Sequence, residues 1–216
     1  MTLSKFKPSE TQAIVYLIVI YIIGIVGMLT KGTLEIFMFL VPVNIMLAAV
    51  VAAIYHGRLS SRFMVSFILI YIGGFVIEWL GVKTGMIFGD YKYGEGLGLK
   101  LVGVPVIMGL NWLLLVYSST IIAARFFRKK IVIIPVAALL MLLYDIFLEP
   151  SAIRYGFWVW EQGTIPIQNY IAWFIGTLVF ISLFLLIIRT PAKNKVAEAI
   201  FWLQLAFFGA LWVGNN

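Results

Sequence analysis

The sequence predicts an all-α, polytopic transmembrane helical bundle of about seven spans, and three observations carry that prediction. Of its 216 residues, 63% are hydrophobic and 12% charged, with a mean hydropathy of +1.06, whereas a soluble domain must cover its core with polar side chains. Apolar stretches of about 18 to 24 residues follow one another almost without a break, each long enough for a hydrocarbon layer of ~30 Å. The alternating polar and apolar segments of a barrel are missing, which leaves helices to satisfy the backbone inside the bilayer.

The spans are expected in order at 12–30, 34–55, 62–81, 101–124, 131–149, 167–188 and 196–214. The first run follows Lys5 and Lys7 but is long for a signal peptide and lacks an A-x-A cleavage site, so it reads as a span. Span two holds Pro42 and Asn44, span three ends in GGFVIEWLG, and span four carries Asn111 and Trp112. Span five closes on LLYDIFLEP, with Asp145 and Glu149 near its outer end. Residues 1–216 form a single integral membrane domain, with no linker, internal repeat or low-complexity segment.

Charge orients the bundle. The N-terminus and even-numbered loops carry Lys5, Lys7, Arg58, Arg62, Arg125, Arg128, Lys129, Lys130, Arg189, Lys193 and Lys195; the other face carries Lys31, Lys83, Lys92, Lys100 and Arg154. The positive-inside rule therefore places the N-terminus in the cytoplasm and the C-terminus outside. In a membrane chain the formal charge of +7 sets orientation and does not call for a nucleic-acid partner. The acids run the other way: Glu35, Glu78, Asp90, Glu95, Asp145, Glu149 and Glu161 lie on or near the outer face, with Glu10 and Glu198 inside. Two outer loops, 82–100 and 150–166, are long and rich in Gly, Tyr and Trp, and long loops more often carry function than mere connection.

Three carboxylates fall within or at the ends of spans: Glu78, Asp145 and Glu149. An acid next to hydrocarbon must face protein or water and is by default a candidate site. Asp145 and Glu149 stand four apart on one helix face, with Cβ atoms about 5–6 Å apart. Such a pair is expected to titrate as a unit, one member protonated and the other ionised, which supplies donor and acceptor together. The plain alternative is a set of helix-end acids ion-paired to Arg154, Lys83 or Lys100. In the first loop Tyr91 and Tyr93, with Phe88, can wall an apolar pocket or donate hydroxyls, or serve as interfacial belt aromatics. In the second loop Trp158 and Trp160 alternate as in a short extended segment, and Asn169 and Trp173 stand four apart at the start of span six. Ring faces beside a protonated carboxyl group suit a transient carbocation, by the attraction that draws ammonium ions to aromatic rings. Asn111 and Asn44 read more readily as helix–helix hydrogen bonds. The glycines from Gly81 to Gly98 match neither a Walker loop nor a dinucleotide fingerprint. With no cysteine, thiolate catalysis, iron–sulfur clusters and Cys-ligated zinc are excluded. His56, the one histidine, lies on the face opposite the acids, so no metal site is expected.

The run EWLGVKTGMIFGDYKYGEGLGLKLVGVPVIMGLNW and, further on, DIFLEPSAIRYGFWVWEQGTIPIQNYIAW closely resemble the CruF-type carotenoid 1,2-hydratases, a family that includes bisanhydrobacterioruberin hydratases. The matching motifs cover roughly residues 78–174, and the chain departs from them at Gly109, where many relatives carry a second proline. The resemblance implies a hydro-lyase of carotenoid biosynthesis in a prokaryotic cytoplasmic membrane, using no cofactor and no metal. Such an enzyme adds water to the terminal C1=C2 double bond of an acyclic (ψ) carotenoid end taken from the bilayer, and other carotenoid-biosynthesis enzymes are its expected partners. Hydrating a trisubstituted alkene takes a strong acid, ring faces for a tertiary cation and a base that orients water. On this reading Asp145 and Glu149 provide the proton and Glu78 positions the water. Tyr91, Tyr93, Asn111, Trp112, Trp158, Trp160, Asn169 and Trp173 line the substrate site. The rival readings are a prenyltransferase, for which a second acidic motif is missing, a lycopene-cyclase-like enzyme, and a non-enzymatic carotenoid-binding transporter.

Overall fold

The computed structural model describes residues 7–189 and 191–214; Lys5 lies outside the described residues. Among the described residues there are seven helices long and apolar enough to cross a membrane: α1 (Glu10–Leu29), α2 (Leu34–Ile54), α3 (Ser61–Thr84), α4 (Ile107–Phe126), α5 (Lys130–Arg154), α6 (Ile167–Ile187) and α7 (Lys195–Gly214). The protein is an all-α integral membrane bundle. Large apolar side chains such as Ile36, Phe39, Val179 and Leu186 point outward, which in water would be prohibitive and in lipid is solvation.

Local chemistry sets the helix ends. Ser9 and Gln12 form a capping box at the start of α1, with Gln12 N–H donating to the serine oxygen at 3.2 Å and Ser9 N–H to the glutamine oxygen at 2.9 Å. Ser60 caps α3, and Gly85 at φ 63° ends it in the left-handed conformation that glycine adopts without strain.

Helix α4 is the axis of the bundle. Its apolar window is 83% buried, against 17–39% for the other six. Its polar middle, Ser118, Ser119 and Thr120, bonds back to the carbonyls of Leu114 and Val116 at 2.6–3.3 Å, so a fully enclosed helix leaves no hydroxyl idle. Around it α3 packs on α4, α5 on α6, and α1 on α7. Glycines bring α3 and α4 together: a Cβ on Gly74 would sit 2.5 Å from the Trp112 Cβ, and one on Gly109 2.5 Å from the Tyr71 carbonyl oxygen.

Two expected boundaries move. Span four begins at 107 instead of 101, because Lys100–Leu101 and Val104–Pro105 form a two-residue hairpin, β2 and β3, turning through Val102 and Gly103 at φ 48° and 86°. Span five does not stop at Pro150 but continues to Arg154. A proline removes one backbone bond, and packed neighbours in a membrane bundle tolerate that loss. The second outer loop is therefore shorter than 150–166, and the acids of α5 lie deeper. Two further strands, β1 (Tyr91–Tyr93) and β4 (Trp158–Trp160), join the outer loops in an antiparallel ribbon with Tyr91 opposite Trp160 and Tyr93 opposite Trp158.

Candidate active site

The ribbon is built to face inward. Strand residues alternate, so Tyr91 and Tyr93 share one face with Trp158 and Trp160, all four buried, while Lys92 and Val159 point out. Outside, Lys92 pairs with Glu161 at 2.9 Å between two exposed side chains. At the end of β1 the Gly94 N–H donates to the Phe157 carbonyl at 2.9 Å, and a Cβ on Gly94 would collide with the Gly156 carbonyl, so the approach of the two loops requires glycine.

Beneath this lid lie the three carboxyl groups, with relative exposures of 3% for Glu78, 0% for Asp145 and 1% for Glu149. Glu78 is six residues from the end of α3, and Glu149 and Asp145 are five and nine from the end of α5. At ~1.5 Å per residue these are depths of roughly 7 to 14 Å below the helix ends. Glu78 shares the buried face of α3 with Gly74 and Gly81, one turn on either side, and that close packing sets it beside α4.

Donors converge on each acid. Glu78 Oε2 accepts the hydroxyls of Tyr91 at 2.6 Å and Tyr93 at 2.7 Å, and its Oε1 accepts Trp112 Nε1–H at 2.7 Å. Glu149 Oε2 accepts the indole N–H groups of Trp158 at 3.1 Å and Trp160 at 3.0 Å. One amide nitrogen, Asn169 Nδ2, donates to Asp145 Oδ2 at 2.9 Å and Glu149 Oε1 at 3.0 Å, tying α6 to both acids of α5. Asp145 Oδ1 is buried and has no partner among the described residues. Burial first, and the Glu78 carboxylate second, hold the phenols of Tyr91 and Tyr93 well above their usual range, so both remain donors. No described ion pair involves the three acids: Lys100 binds Glu95 at 2.8 Å, and Lys83 lies over the Trp79 ring at 4.9 Å. The helix-end ion pairs offered as the plain alternative are not formed.

Between Glu78 and Glu149 lies a cavity of about 20 Å³ walled by Phe88, Tyr91, Tyr93, Trp158, Trp160 and Trp173, with Met108 and Asn169 completing it. That volume accommodates one water molecule. The sequence-predicted residues thus fall into two groups. Tyr91, Tyr93, Trp158, Trp160, Asn169 and Trp173 reach the cavity, but all except Trp173 also hold a carboxyl group. Trp112 is fully buried behind it, stacked on Trp173 at 4.4 Å, and acts on Glu78 alone. Asn111 is buried on α4 but does not line the cavity, and Asp145 stands behind Glu149. Met108 had no signal beyond its place one turn before Trp112.

The site can hold a proton among neighbouring carboxyl groups, present a fixed carboxylate opposite, and surround the gap with ring faces and edges. A family profile described as carotenoid biosynthesis protein matches residues 13–215. The chain is similar to the bisanhydrobacterioruberin hydratase of Haloarcula japonica, 29% identical over 150 residues, which are 65% of this chain and 51% of that one. The match spans about half the relative's length. No solved structure matches the chain.

Proposed function

The chain belongs to the carotenoid biosynthesis protein family, and from that premise and the buried acid cluster we propose that it is a carotenoid hydratase, adding water to the C1=C2 bond of an acyclic carotenoid end. One observation carries this reading: two carboxyl groups, Glu78 and Glu149, face each other across a cavity the size of one water under an aromatic lid, with a third, Asp145, buried behind Glu149. Similarity to a named hydratase supports it.

The chemistry follows from the donors. Both oxygens of Glu78 and both of Glu149 are occupied by groups that only give hydrogen bonds or are held as donors. Asp145 Oδ1 alone is bare, which makes the Asp145/Glu149 pair the place where a proton resides. The proton passes from Asp145 to Glu149, which faces the cavity and delivers it to C2 of the alkene, whose π electrons form the new C–H bond. The tertiary cation left at C1 sits against the faces of Trp158, Trp160 and Trp173. Water attacks C1 and passes its surplus proton to Glu78, and after the product leaves, a water in the cavity between Glu78 and Glu149 relays that proton back to the Asp145/Glu149 pair, which restores the starting state. Asp145 behaves as a positioning and proton-holding residue behind Glu149. The chain end needs more room than the cavity provides, so the β1–β4 ribbon lifts to admit it; the other walls are Phe88 of the first outer loop and side chains of packed helices.

With the basic end in the cytoplasm, the lid faces the outer side of a prokaryotic inner membrane, and a long polyene in the bilayer presents its terminus there. The test is expression in a bacterium that accumulates an acyclic carotenoid, with mass analysis of pigments made in heavy-oxygen water. The expected product is heavier by one labelled water, and Glu78→Gln and Glu149→Gln lose it at least a hundredfold. An isomer of unchanged mass would mean cyclisation, and full hydration by both variants would remove the acids from the mechanism.

A further inference from the structure

At the end of the bundle opposite the lid, a second cavity of about 240 Å³ opens between the α2–α3 turn and the end of α6. Its polar wall is His56, Ser60, Arg62 and Arg189, and Phe63 and Ile187 form part of its apolar wall. Its hydrogen-bonding character can be worked out from a buried chain of three side chains. Asn194 is fully buried; its Oδ1 accepts the Ala197 N–H at 3.0 Å at the start of α7, which identifies the other amide atom as the donor nitrogen. That nitrogen gives its protons to the Ala52 carbonyl at 2.8 Å and to the Tyr117 hydroxyl oxygen at 2.9 Å. Tyr117 oxygen is thereby an acceptor, so its own proton goes to His56 Nδ1, 2.6 Å away. A neutral imidazole that accepts at Nδ1 carries its hydrogen on Nε2, on the ring edge turned away from Tyr117. Burial lowers the His56 pKa, and its face is stacked on Phe63 at 3.8 Å.

The remaining polar groups are donors too. Ser60 Oγ already accepts the Phe63 N–H at 3.2 Å, leaving its hydroxyl hydrogen to give. Neither Arg62 nor Arg189 is in a described ion pair, and Glu198, one of the two acids at this end, is taken by Arg125 at 2.7 Å. Two guanidinium groups, an imidazole N–H and a hydroxyl line one space with hydrogens to give and no carboxylate among them, and that combination is complementary to an oxyanion with several acceptor oxygens.

We propose that this cavity binds a phosphate group, with Arg62 and Arg189 as charge partners and His56 and Ser60 as orienting donors. The apolar wall and the position at a helix-bundle end match a phosphate carried by an anionic phospholipid headgroup, and a soluble phosphate offers the same oxygens. The site is separate from the acid cluster and stands or falls independently of the hydratase reading.

The test uses the full chain in phosphatidylcholine nanodiscs doped with phosphatidylglycerol, with retained lipid read by native mass spectrometry and thermal unfolding followed in parallel. Phosphatidylglycerol is expected to bind about tenfold or more tightly than phosphatidylcholine, as charge-assisted contacts do. The Arg62→Gln/Arg189→Gln variant loses that preference. The Arg128→Gln/Lys129→Gln control, which removes equal charge at the same end, keeps it. Stabilisation by inorganic phosphate with the same variant pattern would assign the group to a soluble phosphate. No preference in the wild type, or an equal loss in both double variants, overturns the proposal.

Discussion

Two indole N–H groups on one carboxylate oxygen make a quantitative prediction. Trp158 and Trp160 reach Glu149 Oε2 at 3.1 and 3.0 Å, so Trp158→Phe or Trp160→Phe deletes one donor, keeps a ring at the position and leaves the second donor in place. A hydrogen bond to a charged group contributes about 1.5–3 kcal/mol, and the surviving indole can recentre on the oxygen, so each single variant is expected near the lower figure, roughly a tenfold loss of turnover. The double variant strips a buried oxygen of every donor from the ribbon and adds an uncompensated desolvation of about 1–3 kcal/mol. Its loss therefore exceeds the product of the single losses by about tenfold, a coupling of ~1.4 kcal/mol. The assay is the initial rate of hydrated carotenoid formation by purified protein in nanodiscs, beside the melting temperature of each variant. Single variants within twofold of wild type would show that the N–H groups do not matter, and a double variant equal to the product of the singles would show that the two donors act independently and refute the coupling.

Other positions give sharper qualitative outcomes. Gly94→Val drives a side chain into the Gly156 carbonyl, so the β1–β4 pairing breaks; overpacking of this kind costs about 1–3 kcal/mol, seen as a lower melting temperature, and hydration is lost with the lid. Lys92→Ala removes an exposed pair with Glu161 on the outer face of the same ribbon and is expected to leave melting temperature and turnover unchanged. A strong effect there would mean that the outer face of the lid has a role of its own.

Much of the site was legible because hydrocarbon makes certain residues conspicuous. Glu78, Asp145 and Glu149 stood out since an acid within an apolar span needs a reason, and Trp158 and Trp160 showed strand alternation in three letters of sequence. Tyr91 and Tyr93 carry the same alternation, yet nothing in the sequence matched the two short segments to each other; the register joins residues 65 to 69 apart in the chain. Asn169 lines the cavity and Trp112 stands behind it, and that both hold carboxyl groups was not legible, because a lone polar residue on a helix does not disclose which neighbour its donor faces. His56 was set aside as a metal ligand, and its tautomer became readable once Tyr117 and Asn194 were seen to pin it.

Seven spans, their order, the charge asymmetry of the two ends and the concentration of acids and rings at one of them are properties of the sequence itself, since the bilayer imposes a minimum apolar length and penalises every stray charge. The tertiary structure decided that α4 is the axis, that α5 runs on past Pro150, and that two loops zip into a lid whose phenols and indoles point down onto Glu78 and Glu149. Membrane insertion reads each segment alone, whereas which side chain meets which is set by close packing between helices distant in the chain, and no single segment carries that information.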